Sequence, residues 1–203
     1  MSVSATNKSL GERINWEVEQ TKEAVNYYVE LWETVKSPET KYELEVKIKK
    51  LKNKIRKMSD EKWDKRFLGL CEHVSRWSKD PSTKVGAIIT KDIKVVSMGY
   101  NGLPQQVRDT PEILGNRTTK YKYILHAETN AILTAKTELS GSTMYTFPFS
   151  PCTKCASMIV QSGITRVVSI VCRDERWEER LKESKHFMES CGLEVVTYDN
   201  YVT

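Results

Sequence analysis

The sequence predicts an α/β protein, a three-layer α/β/α sandwich around a five-stranded mixed sheet, carrying a helical hairpin at its N-terminus. Three observations lead there. Residues 10–58 contain no glycine after Gly11 and a single proline, Pro38, so long helices are expected on propensity. From Asp60 onward strands and helices alternate in short elements, the pattern of a layered α/β domain. Two of the strands, "KVGAIIT" and "IKVVSMGY", meet at "KD" as a hairpin, so an antiparallel pair sits beside strands joined by crossovers. The 203 residues, 39% of them hydrophobic, suffice for one catalytic domain and an appendage, with boundaries at 1–59 and 60–203.

Taken in order, Ile14, Val18, Thr21, Val25, Tyr28, Trp32 and Val35 recur at alternating steps of four and three. After "SPET" the pattern resumes as Leu44, Ile48, Leu51, Ile55 and Met58, with Ser37 as N-cap and Pro38 at the first helical position marking the break. Each narrow stripe must be buried against the other arm, the following domain or a second subunit. "KWDKRFLGLCEHVSRWS" reads as a separate helix with Phe67, Leu70, Cys71, Val74 and Trp77 on one face. The strand hairpin follows, then a long loop, "NGLPQQVRDTPEILGNRTTKYKY". Beyond it come a helix from about 126 to 136, the strand "STMYTFP", a helix from 152 to about 162, the strand "TRVVSIV", a charged helix at 175–189 and the strand "LEVVTYD". There is no internal repeat.

The net charge of +5 is uneven: Lys41 to Arg66 holds eleven basic and five acidic residues. Such a stripe can bind nucleic acid or another polyanion, but a solvated helix face is the favoured reading. No run of about eighteen apolar residues and no signal-like start is visible, so no membrane association and a cytoplasmic protein are expected. Five cysteines, two of them as Cys152-x-x-Cys155, point to metal or redox work by reduced thiols rather than to disulfides.

On a helix, Cys152 and Cys155 share a face within reach of one small ion. Ser150-Pro151 opens that helix, and the positive end of its dipole favours thiolates. "ILHAETNAIL" places His126 and Glu128 at the mouth of the preceding helix. At about 100° per residue, the two would point apart in mid-helix, so the pair belongs in an irregular first turn. One histidine and two cysteines make three zinc ligands and leave the fourth position for water. Zinc deaminases carry this H-x-E…P-C-x-x-C pattern, with a glutamate that is not a ligand.

"HAETNAIL", "SPCTKCASMIVQSGITRVV", "SKDPSTKVGAIIT" and "MGYNGLP" together resemble the deoxycytidylate (dCMP) deaminases of bacteria and their phages, within the cytidine deaminase superfamily. The likeness runs from about residue 62 to 198 and leaves the N-terminal hairpin outside. It implies a cytidine deaminase-like fold and hydrolysis of dCMP to dUMP and ammonia, feeding thymidylate synthesis. It also implies one catalytic Zn2+ on His126, Cys152 and Cys155, with Glu128 as both base and acid toward water, N3 and the departing amine. Asn101 resembles the family's sugar-contacting asparagine, against a turn residue as its plainer reading. Lys84 stands where a basic residue suits the 5′-phosphate, against an exposed strand lysine. Ala127, Phe149 and Ser150 fall in the segments bordering the pyrimidine, with a core-packing residue as the plainer reading of Phe149, and Thr129, Asn130 and Tyr145 lie nearby. The resemblance further implies homo-oligomers and regulation by dCTP with Mg2+ and by dTTP, for which the loop 102–120 is the expected site.

Two other functions compete. A polynucleotide deaminase acting on tRNA adenosine or single-stranded cytidine would use the same zinc site, but Lys84 and "GYNGLP" favour a mononucleotide. A non-enzymatic binder with a structural zinc has no need of Glu128. Cys71 and His73 are expected as a core thiol and a surface imidazole, Cys172 and Cys191 as buried thiols, and His186 as exposed.

Overall fold

The computed structural model describes residues 10–201, so the first nine residues of the predicted hairpin and the last two of the chain lie outside the described residues. The side chain of Ile14, expected on the hairpin seam, also lies outside what is described. The chain divides into two compact units after Trp63.

In the first unit, α1 (Leu10–Thr34) and the start of α2 (Pro38–Ser75) form the predicted hairpin. The Ser37 hydroxyl accepts from the Thr40 amide at 3.4 Å and Pro38 takes the first helical position, where its missing N–H costs nothing. The arms run antiparallel: Lys62 Nζ donates to Asn15 Oδ1 at 3.0 Å, the Lys47 ammonium lies 4.2 Å from the Tyr28 ring centre, and Trp32 Nε1 donates to Glu45 Oε1 at 3.2 Å. The separate helix expected from residue 62 is instead a continuation of α2, which runs unbroken for 38 residues. "KMSDEKW" contains weak helix formers but neither glycine nor proline, so nothing interrupts the backbone bonds.

In the second unit five strands, β1 (Gly86–Lys91), β2 (Lys94–Tyr100), β3 (Thr143–Phe147), β4 (Arg166–Ile170) and β5 (Glu194–Tyr198), pair in the order β2-β1-β3-β4-β5. The β1–β2 and β1–β3 pairs are antiparallel, and β3–β4 and β4–β5 are parallel, giving the mixed sheet. Period-two alternation divides the sheet's two faces. Ala87, Ile89, Met144 and Val167 pack with Ala127, Ala131, Cys155, Ala156, Ile159 and Met188 from three helices on one side. On the other side Phe67, Leu68, Cys71 and Val74 of α2 are buried, and Phe67 meets Tyr145 at 5.0 Å between ring centres. A side chain at Gly86 would put its Cβ 2.1 Å from the Cys71 carbonyl oxygen, so the helix touches the strand there. These are the three layers of the expected sandwich.

The β1–β2 turn falls at Asp92–Ile93, one residue later than "KD", and both residues have positive φ, 49° and 58°. A β-branched residue resists that conformation. Ile93→Gly is therefore expected to stabilise the protein by about 1 kcal/mol, measured as a raised denaturant midpoint at unchanged slope.

The long loop holds two short helices, α3 (Pro111–Leu114) and α4 (Arg117–Tyr123). Asn116 caps α4 by accepting from the Thr119 amide at 3.0 Å, a start signal embedded in "NRTT". The remaining helices are α5 (Ala127–Thr134), α6 (Thr153–Gln161) and α7 (Glu175–Ser190). Cys71 is buried, and His73 and His186 are exposed, as expected. Trp77 is not on the buried face, because α2 ends at Ser75; it is 48% exposed, edge-on to Tyr100. Cys191, expected buried, is exposed at the C-cap of α7, and Cys172 is only partly buried. Among the described residues no helix is long and apolar enough to cross a membrane.

Candidate metal and catalytic site

The site forms where two helix N-termini meet at the end of the sheet. His126 is the N-cap of α5, with extended backbone at φ −72° and ψ 156°, and Cys152 is the N-cap of α6 at φ −75° and ψ 168°. The extended caps resolve the spacing problem: the 100° rule does not apply to His126, so it can share a site with Glu128 in the first turn of α5. Close approach brings α5 there. A Cβ on Gly99 of β2 would lie 2.3 Å from the Ala127 carbonyl oxygen and 2.4 Å from the Ala131 nitrogen.

His126 Nδ1 lies 3.5 Å from Cys152 Sγ and 3.4 Å from Cys155 Sγ, and all three donor atoms fall within 4.8 Å of one another. Zinc bonds of roughly 2.0–2.1 Å to nitrogen and 2.3 Å to sulfur in a tetrahedron separate nitrogen from sulfur by about 3.5 Å, which both nitrogen–sulfur distances match, so the donor set suits such an ion. Electrostatics agree. Facing Cys155 and His126, Cys152 is held well below the usual thiol pKa, whereas Cys155, against that thiolate and buried, is pushed up. His126 is raised by its contact with Cys152. One thiolate therefore resists formation of a second beside it, and a cation held between the two sulfurs would remove that resistance. Glu128 is 4% exposed, and burial raises its pKa toward that of a group able to hold a proton and return it.

His126, Glu128 and Cys152 line one cavity together with Asn101, Phe149 and Ser150. Among the described residues the buried Ser150 Oγ there has no hydrogen-bond partner, as suits a group that meets a ligand. Asn101 is both a wall residue and a structural tie: its Oδ1 accepts from the Val85 amide at 2.7 Å and its Nδ2 donates to the Thr83 carbonyl at 2.9 Å. Lys84 is exposed and lies outside the cavity lining, and Ala127 is fully buried behind it. Thr129 sits 3.8 Å from Cys155 Sγ, and Asn130 donates to the Tyr100 carbonyl at 2.8 Å. Tyr145 points to the opposite face of the sheet, where its hydroxyl donates to Asp64 at 3.0 Å.

Of the wall residues that escaped the sequence reading, three bear on the chemistry. Lys120 of α4 is 3% exposed and lines the cavity, paired at 2.8 Å with Asp80 and donating to Ser82 Oγ at 3.0 Å. Asp80 is the acid of "SKDPSTK", and its other oxygen accepts from Asn101 at 3.3 Å. Trp177 stacks on Phe149 with ring centres 5.9 Å apart and planes at 26°. The only signal for Lys120 was its place six residues before His126, and for Trp177 the Asp174 N-cap that starts α7.

The family model described as the cytidine and deoxycytidylate deaminase zinc-binding region matches residues 61–171. The uncharacterized deaminase in the luxG 3′ region of Aliivibrio fischeri is 44% identical over 137 residues, 66% of this chain and 92% of that protein. Human deoxycytidylate deaminase is 33% identical over 157 residues, covering 68% of this chain and 86% of its own length. Among solved structures, the dCMP deaminase of cyanophage S-TIM5 in complex with dCMP and dUMP superposes with a TM-score of 0.54 at 25% identity, over 66% of this chain and 94% of that one. Agreement of the matched segment with the segment that builds the His126, Cys152 and Cys155 cluster places this chain in the cytidine and deoxycytidylate deaminase family of zinc-binding proteins.

Proposed function

We propose that this chain hydrolyses dCMP to dUMP and ammonia, supplying dUMP for dTTP synthesis in the cytoplasm. The observation that carries the reading is the convergence of His126, Cys152 and Cys155 beside Glu128 in one cavity. The domain that does this is residues 60–203, supported by the compact unit beginning at Asp64, with residues 1–59 as a helical extension.

His126, Cys152 and Cys155 would hold a zinc ion, which when bound would supply an activated water at neutral pH. Glu128 takes the proton of the attacking water and delivers it to N3 of cytosine as the C4–O bond forms. It then takes the proton of the new C4 hydroxyl and passes it to the exocyclic nitrogen as the C4–N bond breaks and the C4 carbonyl forms, so dCMP and water leave as dUMP and ammonia. Burial of Glu128 favours this traffic by bringing its proton affinity closer to that of the groups it serves. Ser150 and the backbone at Ala127 hold the base, Phe149 and Trp177 wall it, and Asn101 faces the sugar while keeping the 80–85 loop in place.

For the 5′-phosphate, Lys120 is better placed than Lys84, whose exposed position supports only a peripheral role. Asp80 and Ser82 take two of its ammonium protons, and the third is available to an anion. Lys120→Met is expected to lower kcat/KM for dCMP by roughly ten- to a hundredfold, the worth of a charge-assisted hydrogen bond, with deoxycytidine far less affected. Equal loss on both substrates would show that Lys120 only maintains the fold.

The regulatory reading assigns dCTP with Mg2+ and dTTP to the loop 102–120, and a groove bounded by Lys79, Tyr100, Gly102, Pro104 and Asp109 supports it. Assembly into homo-oligomers accompanies it. Turnover of dCMP, CMP, dCTP and single-stranded oligonucleotides, each with and without dCTP and dTTP, tests the whole reading. Activity on dCMP is expected, and activity confined to oligonucleotides would replace it with polynucleotide deamination.

A further inference from the structure

The unit that precedes the deaminase domain is short of core. Among its described residues only Thr21, Val25 and Leu44 are buried, while Val29, Trp32, Ile48, Leu51, Ile55 and Met58 stay partly exposed. Val29, Trp32 and Ile48 floor an open groove between the arms, edged by Glu45, Lys49 and Lys52. Long helices take most of their stability from tertiary packing of an apolar face, and two arms meeting along one line leave half of each stripe unburied. A further pair of helices would complete it.

Charge identifies the occupant. Within α1 six glutamates stand against one arginine and one lysine, whereas Lys47–Lys57 of α2 holds seven cations and no acid. A second hairpin related by a two-fold axis sets acidic arm against basic arm twice over and brings the two grooves together. We propose that two copies of the chain join through their N-terminal hairpins as a four-helix bundle, the acidic arm of each against the basic arm of the other. This contact is independent of any assembly made by the deaminase domains and does not rest on the assigned reaction.

Full-length variants test it by sedimentation at low salt. Lys49→Glu with Lys52→Glu alters the basic arm, and Glu30→Lys with Glu33→Lys alters the acidic arm; all four positions are exposed, so the fold is expected to survive. Each double variant alone is expected to lose at least about tenfold in association, seen as a halved assembly mass, and the two mixed in equal amounts to regain it as a hetero-assembly. Ile48→Asp, at the groove floor, is expected to halve the mass with no recovery by either partner. Masses equal to that of the unaltered protein for all three variants would overturn the proposal. So would loss without recovery on mixing, accompanied by loss of single-stranded oligonucleotide binding in the Lys49→Glu, Lys52→Glu variant, because the basic arm would then serve a polyanion.

Discussion

Glu128→Gln is expected to lower dCMP turnover by roughly 10⁴-fold while zinc content stays near one ion per chain. The substitution is nearly isosteric and neutral, so a site where Glu128 is 4% exposed accommodates it without a cavity or a new charge. It removes one group that acts twice, first accepting the proton of the attacking water and then delivering it to nitrogen, which puts the loss at the top of the range for acid–base catalysis. His126, Cys152 and Cys155 keep their mutual distances in this variant, because those are set by the N-caps of α5 and α6 and not by the carboxylate. Single-turnover kinetics and metal analysis on the same preparation check it. Zinc lost in parallel with activity would make Glu128 a support for the metal site, not the proton carrier.

Asp64→Ala is expected to destabilise the deaminase unit by about 3–5 kcal/mol, a fall in Tm of roughly 10 °C or more. Asp64 is 1% exposed and accepts from both terminal guanidinium nitrogens of Arg166, at 2.8 and 2.7 Å. It accepts as well from the hydroxyls of Tyr145 at 3.0 Å and Tyr198 at 2.8 Å, so one carboxylate ties α2 to β3, β4 and β5. Burial and the Asp64 charge push the Tyr145 pKa up, which keeps its hydroxyl a donor throughout the accessible pH range. Without the carboxylate, the largely buried Arg166 cation is left with the exposed Glu194, 3.2 Å from its Nε, and the Tyr145 and Tyr198 hydroxyls lose this acceptor. Thermal unfolding measures the loss, and Asp64→Leu combined with Arg166→Met is expected to recover part of it, since no charge is then stranded. An Asp64→Ala protein that melts with the unaltered chain would show that water replaces the carboxylate.

The strands β1 to β5 and the helices α5 to α7 are written as local alternation between apolar and polar residues, within a residue or two of their observed limits. Likewise His126, Cys152 and Cys155 were legible because the ligand chemistry of zinc admits few residue types, and Glu128 because it stands two residues from His126. The break that was expected in α2 near residue 60 shows the limit of such reading, since a change in apolar pattern ends a helix only where a glycine, a proline or a cap accompanies it.

By itself, then, the sequence determined the sheet-and-helix order, the His126, Cys152 and Cys155 set that could hold a metal, and the hairpin, all of which follow from spacing along one segment. Tertiary structure alone decided that His126 and Cys152 face each other across two extended caps, and that Lys120, one of 32 basic residues, is the cation inside the cavity while Lys84 faces solvent. It alone also set Tyr145 beside Asp64 and Trp177 over Phe149. The reason is physical: burial and charge pairing between residues such as Asp80 and Lys120, forty positions apart, arise only when the sheet brings distant loops to one edge, and no local pattern encodes that meeting.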